Sequence, residues 1–73
     1  MYNRIRELRE DKDLTQTQIA HYLGMSQTGY SKYETGENDI PSNILIALAK
    51  LHETSIDYIV GLTNEKRPYK RVK

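Results

Sequence analysis

A short polar cluster in the middle of the chain has side chains suited to hydrogen bonding with flat polar groups. It consists of Gln27, Thr28, Ser31 and Lys32. If this stretch is helical, at about 100° per residue, the four side chains fall within one arc of roughly 140°, with Tyr30 on the opposite side. A glutamine can bond N6 and N7 of adenine, hydroxyls can donate or accept, and a lysine can reach guanine or a phosphate. The cluster therefore favours contact with the base edges of duplex DNA over a merely solvated helix face.

A second short helix must precede the helix that carries this cluster. Thr15 is a favourable N-cap, and Gln18 three residues later completes a capping box, so the sequence predicts a helix that begins at Gln16. Leu14, before the cap, can pack on Ile19 as a hydrophobic staple. The apolar side of this helix consists of Ile19, Ala20 and Leu23.

The two helices are separated by a turn of about three residues. Gly24 follows the last apolar residue and can adopt the left-handed conformation that ends a helix. Ser26 then caps the next helix, with Met25 and Tyr30 as a second staple. Gly29 would weaken an ordinary helix by about 1 kcal/mol, so its place on the inner side predicts close packing against the preceding helix. Residues 14–34 thus predict two helices joined by a tight turn.

Three further helices complete the predicted architecture. The first covers about residues 3–12, with Ile5 and Leu8 directed inward. The fourth follows Pro41, with Ser42 as its cap. Its apolar positions at helical spacing are Leu45, Leu48 and Ala49. The fifth starts after Ser55 and ends near Gly61. No strand alternation or internal repeat is apparent, so the sequence predicts an all-α protein.

In their order and spacing, these segments resemble the phage-repressor and Cro-type helix-turn-helix regulators, also called xenobiotic-response-element-like proteins. The resemblance covers about residues 3–62. It rests on Arg6-Glu7-Leu8-Arg9, Leu14-Thr15-Gln16 with Ile19-Ala20, Leu23-Gly24-Met25-Ser26, Tyr30-Ser31-Lys32-Tyr33-Glu34 with Gly36, Pro41, and Ser55-Ile56-Asp57-Tyr58-Ile59-Val60-Gly61. It implies a compact five-helix, lambda-repressor-like DNA-binding domain.

The resemblance also implies roles for individual residues. Gln16 matches a glutamine that clamps a phosphate, aided by the helix dipole. Gln27 and Thr28 match the principal base readers, and Gln27 can also be braced by Gln16. The full set of DNA contacts expected is Gln16, Thr17, Ser26, Gln27, Thr28, Ser31, Lys32 and Asn38. Arg9 and Glu34 match positions that form a structural ion pair between the first helix and the end of the recognition helix.

The loop after the recognition helix departs from many relatives. Those proteins carry Lys or Arg there, whereas this chain has Glu37, Asn38, Asp39 and Ile40. Asn38 can still donate to a phosphate, but Glu37 and Asp39 repel one. We therefore expect modest backbone affinity from this loop.

Composition excludes several functional classes. A chain of 73 residues is one small domain without room for a large catalytic cavity. His21 and His52 lie on different predicted helices without a shared ligand spacing, so we expect surface residues and no metal site. The hydroxyls of the recognition segment lack a neighbouring base, so we predict no enzyme, no cofactor and no small-molecule ligand. The absence of cysteine and of a long apolar run fits a cytoplasmic protein outside the membrane.

The apolar residues of the second half exceed what one small helix pair must bury. For any one of these residues ordinary core is the first expectation, but the surplus as a whole favours a homodimer interface at Ile56, Tyr58 and Ile59, since the second and third helices must remain free for DNA. Such a pair would address an inverted repeat, with half-sites about 34 Å apart.

The net charge of +1 is unevenly distributed. Basic residues are concentrated in residues 66–73, so we divide the chain into a DNA-binding domain, residues 1–63, and a basic tail, residues 64–73. Such a tail can follow the phosphate backbone or serve as a solubilising terminus, and the sequence leaves both open.

The sequence thus predicts a sequence-specific reader of double-stranded operator DNA that regulates transcription as a repressor. An alternative is an antitoxin-like or anti-repressor module whose partner is a protein held by the fourth and fifth helices. The two differ in whether Gln16, Gln27 and Thr28 are needed for function.

Overall fold

Five helices make up the secondary structure of the computed structural model, which describes residues 3–67. They are α1 (Asn3–Asp11), α2 (Gln16–Leu23), α3 (Gln27–Thr35), α4 (Ser42–Leu51) and α5 (Ile56–Ile59). No strand occurs within residues 3–67. The predicted all-α, five-helix architecture is confirmed. None of the helices in this range is long and apolar enough to cross a membrane.

Local hydrogen bonds define the start of α2 as predicted. The Thr15 hydroxyl accepts from the Gln18 backbone N–H at 3.1 Å, and the Thr15 N–H donates to Gln18 Oε1 at 2.8 Å. This reciprocal capping box satisfies two backbone donors that have no partner within a helix. Gly24 ends α2 with a φ of +70°, in the left-handed region that glycine adopts at low cost.

The helix α3 also begins at its predicted cap, since the Ser26 hydroxyl accepts from the Gly29 N–H at 3.1 Å. The expectation for Gly29 itself is wrong in one respect. A Cβ at Gly29 would lie 3.1 Å from Met25 Cε and 3.1 Å from Ser26 Oγ, with no α2 atom within 4 Å. The crowding at Gly29 therefore comes from the turn, because the Met25 side chain folds over the start of α3.

The predicted start of α4 needs correction, whereas the ends of α1 and α5 lie within two residues of their approximate predicted positions. The N-cap of α4 is Pro41, not Ser42, and it forms no side-chain cap. The Pro41 carbonyl accepts from Ile44 and Leu45 at 3.0 Å, because the fixed proline φ of −62° already suits a helix start. The helix α1 ends at Asp11 rather than Lys12, and α5 ends at Ile59, before Gly61.

The core draws on all five helices and on the loop before α4. It consists of Ile5, Leu8, Ile19, Ala20, Tyr30, Tyr33, Ile40, Leu48 and Ile59. Leu45 and Ala49, expected to be buried, are partly exposed and pack against this core. Burial of apolar surface, which contributes about 25 cal/mol per Å², is the main force that holds these short helices together.

The chain beyond α5 remains attached to the bundle up to residue 66. The Arg4 guanidinium donates to the carbonyl oxygens of Tyr58 and Thr63 and to Asn64 Oδ1, and it stacks 4.3 Å from the centre of the Tyr58 ring. The Thr54 hydroxyl donates to the Lys66 carbonyl. The segment that follows the predicted domain boundary at residue 63 thus contacts α1 and the α4–α5 turn.

His52 is buried, which corrects the prediction that it is a surface residue. Its side chain lies in the turn after α4, and the residue is only 4% exposed. Within residues 3–67, neither ring nitrogen has a hydrogen-bond partner. Burial, together with the charges of Lys12 and Lys66, lowers the pKa of His52 to about 4. Sequence pattern could not indicate this, because the burial of a residue in a turn depends on how the helices pack.

Candidate nucleic-acid interface

The helix α3 presents its predicted polar cluster on the outside of the protein. Gln27, Thr28 and Lys32 are exposed and Ser31 is half-buried. On the opposite side, Tyr30 is fully buried and its ring meets that of Tyr33 edge to face, with centroids 6.4 Å apart. The aromatic side fixes the rotation of α3, so that the short polar side chains face solvent.

Gln27 and Gln16 are joined by a direct hydrogen bond. Gln27 Nε2 donates to Gln16 Oε1 at 2.6 Å, which links the first residue of α3 to the first residue of α2. Gln16 Nε2 in turn donates to Glu34 Oε1 at 3.0 Å. The second of these bonds was not predicted. No specific signal for this bond exists in the sequence, beyond the general rule that a carboxylate, if buried, needs hydrogen-bond donors.

Glu34 is held by a bidentate pair with Arg9. Arg9 Nε donates to Glu34 Oε2 at 2.7 Å and Arg9 Nη2 donates to Oε1 at 3.1 Å. The side chains of Arg9 and Glu34 are only 13% and 4% exposed. The third donor, Arg9 Nη1, binds the Leu14 carbonyl at 2.9 Å. Two parallel bonds between a planar guanidinium and a carboxylate are the strongest geometry for such a pair.

The electrostatics of this cluster keep Glu34 ionised. Burial opposes the charged form, but hydrogen bonds from Arg9 and Gln16 and the charge of Arg9 outweigh it and hold the pKa of Glu34 below its ordinary value. The hydrogen bond to Glu34 raises the pKa of Arg9. Burial and the neighbouring carboxylate raise the pKa of the Tyr30 hydroxyl, which therefore stays protonated.

The remaining predicted DNA contacts lie around α3. Thr17 is exposed in the first turn of α2, and Ser26 is exposed although its hydroxyl oxygen caps α3. Asn38 is exposed, with its backbone N–H bonded to the Lys32 carbonyl at 3.2 Å. Glu37 and Asp39 are exposed on either side of Asn38, so the acidic loop faces solvent.

The expected dimer interface needs correction at one position. Ile59 is only 1% exposed because it fills the core, so its side chain is not available to a partner. Ile56 and Tyr58 are half-buried. Larger exposed fractions belong to Ile46 at 47% and Leu62 at 77%, and to a third large apolar side chain on α2, Tyr22 at 53%.

Residues 5–59 match the family model described as helix-turn-helix. The chain belongs to the helix-turn-helix family. Within residues 3–67, no group of three or more His, Cys, Asp or Glu residues could hold a metal ion.

Curated relatives of this helix-turn-helix chain are named as a transcriptional regulator and a transcriptional repressor. It is 38% identical over 65 residues to the uncharacterized HTH-type transcriptional regulator YobD of Bacillus subtilis, covering 89% of this chain and 58% of that protein. It is 38% identical over 58 residues to the cryptic phage CTXphi transcriptional repressor RstR of Vibrio cholerae, covering 80% of this chain and 52% of that protein. The chain thus spans little more than half the length of these relatives. No solved structure matches it.

The basic tail predicted for this helix-turn-helix protein lies largely outside the described residues. Lys66 and Arg67 are described, and they pair with Asp11 at 3.7 Å and Glu65 at 3.3 Å. Residues 68–73 fall outside the described range.

Proposed function

We propose that this chain reads double-stranded operator DNA through the exposed side of α3 and represses transcription. The observation that carries the proposal is the hydrogen-bonded pair of Gln16 and Gln27, which holds the first side chain of the recognition helix beside the N-terminus of α2. The N-terminus of a helix favours an anion such as a phosphate, and a glutamine on the following helix can then reach a base edge. Thr28, Ser31 and Lys32 extend this surface.

Relatives support the regulatory part of the proposal. The printed names of two of them are HTH-type transcriptional regulator and transcriptional repressor. Because the chain covers little more than half of each relative, we base its DNA-reading role on its own residues and take repression from the likeness to the phage repressor.

Charge contributes little to this binding. The net charge is +1, and the loop after α3 carries Glu37 and Asp39. Phosphate contacts supply most of the affinity for DNA of any sequence and make binding dependent on salt. We therefore expect weak non-specific binding with a shallow salt dependence, and an affinity that depends on base contacts.

Selection of bound sequences from random duplexes tests the proposal. A reader yields one preferred motif, and purified protein then binds that motif at least about 10³-fold more tightly than unrelated DNA at the same salt concentration. An interaction module of the kind considered above yields no motif. A folded protein without sequence preference would reject the proposal.

Pairing on DNA is the finer part of the proposal. A single recognition helix spans too few base pairs to define a site, so we propose that two copies bind an inverted repeat with half-sites about one DNA turn apart. With Ile59 in the core, the apolar surface for pairing comes from Ile56, Tyr58 and the exposed Ile46 and Leu62.

Footprinting with protein titration tests this pairing. The expected result is two protected half-sites that fill cooperatively. Ile46→Glu and Leu62→Glu should abolish the cooperativity, whereas Tyr22→Glu, the same change at an exposed apolar residue of α2, should preserve it. A single protected half-site and an asymmetric selected sequence would reject the pairing.

A further inference from the structure

Residues 63–66, which we call the strap, run along one side of α1. At one end of the strap, the Arg4 guanidinium donates to the carbonyl of residue 63 and to the side chain of residue 64. At the other end, Lys66 Nζ lies 3.7 Å from Asp11 Oδ2, and the Thr54 hydroxyl donates to the Lys66 carbonyl. Arg4 and Asp11 are seven residues apart, about two helical turns, so they lie on the same face of α1. The strap therefore follows this face from the first turn of α1 to the last.

The strap determines where the chain leaves the folded domain. Seven residues of a helix rise about 10 Å, so the strap shifts the exit by about that distance, from the start of α1 to its end. The end of α1 is bonded to the proposed DNA surface, because Arg9 in its last turn binds Glu34, and Glu34 binds Gln16 at the start of α2. The chain after the strap thus begins near the helix N-terminus at which we propose a phosphate.

The residues from the end of the strap onward are strongly basic. Residues 66–73 contain no Asp or Glu, and their cations are Lys66, Arg67, Lys70, Arg71 and Lys73. Within the described range, Lys66 pairs with Asp11 and Arg67 with Glu65, but all four side chains are at least 53% exposed. Exposed ion pairs contribute little, so both cations can exchange their carboxylate for a phosphate. Seven residues beyond Lys66 span at most about 23 Å, which is enough to reach phosphates beside α2.

We infer that the strap places residues 66–73 against the phosphate backbone of operator DNA, beside the N-terminus of α2. Duplex DNA carries one negative charge per about 1.7 Å, which suits a segment with several cations and no carboxylate side chain. The loop after α3 supplies little of this contact, because Glu37 and Asp39 repel phosphates. The strap matters because a cation held near its site acts at a higher effective concentration than one on a free chain.

The end of α1 offers a competing partner for these cations. Glu10, Asp11 and Asp13 are all exposed there. Their charges are few and screened by solvent, whereas a duplex presents a continuous row of phosphates and releases counterions when cations bind. DNA is therefore the stronger partner, and the carboxylates of α1 hold the cations only in its absence.

The experiment uses the full chain with its selected operator, and it rests on the proposed function. Ethylation interference identifies the phosphates that are contacted, and titration at several salt concentrations gives the number of cations involved. The variant Lys70→Gln with Arg71→Gln should lose interference at phosphates on one flank of each half-site. Its slope of log affinity against log salt should become shallower by about 2, with the preferred bases unchanged.

Thr54→Val tests the strap itself, since it removes the donor to the Lys66 carbonyl without a change of charge. Interference on the same flank should weaken at least about twofold, while the preferred bases stay those of wild type. Arg4→Lys is a second variant of constant charge, because a lysine cannot reproduce the several bonds of the guanidinium. Both are measured at a temperature at which circular dichroism shows them to be folded.

Arg6→Gln with Lys50→Gln is the matched control. It also removes two positive charges, from exposed residues outside the strap and outside the proposed DNA contacts. Its interference pattern should match that of wild type, and its salt slope should change by less than half as much as that of Lys70→Gln with Arg71→Gln.

The outcomes distinguish this inference from the function on which it rests. If the wild type selects a motif but Lys70→Gln with Arg71→Gln keeps the same phosphates and salt slope, the inference is wrong and the function stands. An equal change of slope in the control has the same meaning, since it reports net charge alone. Full interference on that flank in both strap variants would overturn the role of the strap. If the folded wild type selects no motif, both the function and the inference are rejected.

Discussion

Arg9 Nε donates to Glu34 Oε2 across 2.7 Å, which joins α1 to the end of α3 by a bidentate ion pair. The Glu34 carboxylate also accepts from Gln16, so one buried group connects three helices. The attachment of α3 to α1 and to the start of α2 therefore depends on a single carboxylate.

Loss of either partner of this pair should destabilise the protein. Arg9→Ala or Glu34→Ala leaves a buried charge without its counterion, which costs about 3 to 5 kcal/mol and should lower the Tm by roughly 10 °C or more. The measurement is thermal unfolding by circular dichroism.

Two further variants serve as controls for that prediction. Arg6→Ala breaks the exposed Arg6–Glu10 pair, whose side chains are 66% and 56% exposed, and should change stability by no more than about 0.5 kcal/mol. The double variant Arg9→Met with Glu34→Met should recover part of the loss, because it leaves no unpaired charge. A Tm unchanged by both single substitutions would show that the pair contributes nothing.

Substitution of the proposed base readers should weaken specific binding more than non-specific binding. Gln27→Ala and Thr28→Ala should each weaken binding to the selected operator by about 1 to 3 kcal/mol, with little effect on random duplexes. Both residues are exposed, so the Tm should stay close to that of wild type. If both variants fold and keep the full sequence preference, the proposal that α3 reads the bases is wrong.

Reversal of charge in the loop after α3 should increase affinity for any DNA. Glu37→Lys or Asp39→Lys replaces a repulsive carboxylate by a cation, so the slope of log affinity against log salt should steepen by about 1. The ratio of specific to random binding should fall accordingly. Glu7→Lys makes the same change in net charge on α1, and an equal effect there would show that position in the loop is irrelevant.

Acid should destabilise the protein through His52. The pKa of this residue is lowered from 6.5 to about 4 in the folded state, so the folded state favours the neutral ring. The stability this provides is present above pH 6.5 and is lost as the pH falls toward 4, because the unfolded chain takes up the proton first. Between pH 7.5 and pH 5 the free energy of unfolding should fall by about 2 kcal/mol.

Urea unfolding at these two pH values measures the effect. His52→Leu should flatten the dependence on pH in this interval, whereas His21→Leu, at an exposed histidine, should leave it as in wild type. The lowered pKa of Glu34 acts in the same direction at lower pH, since a carboxylate stabilised in the folded state loses that stability as the pH falls through its folded pKa. A parallel loss of stability in wild type and His52→Leu would contradict the assignment to His52.

The local structure of the central helix pair could be predicted because the residues that define it are close in sequence. The capping box of Thr15 and Gln18, the cap at Ser26 and the left-handed Gly24 each depend on neighbours within four residues. The prediction of Ser42 as the cap of α4 was wrong although it also rests on neighbouring residues. Serine is the better capping side chain, but Pro41 already holds the required backbone geometry.

Burial and contacts between helices were predicted less well. The sequence indicated which face of each helix is apolar, but Ile59 was expected at an interface and His52 at the surface, and both are buried. The Arg9–Glu34 pair was expected only through the resemblance to a family, since its partners are 25 residues apart. The DNA contacts remain predictions that the experiments above address.

The order of amino acids alone specifies the five helices, the turn between α2 and α3 and the polar side of α3. Those features follow from backbone hydrogen bonds and side-chain spacing within a few residues, which the order of amino acids specifies directly. Two features come from the packing of the helices instead: Gln27, Gln16 and Glu34 form one chain of hydrogen bonds, and residues 63–66 return to Arg4 and the α4–α5 turn. These contacts join residues far apart in the sequence, so they exist only once the helices have packed and fixed the distances between them.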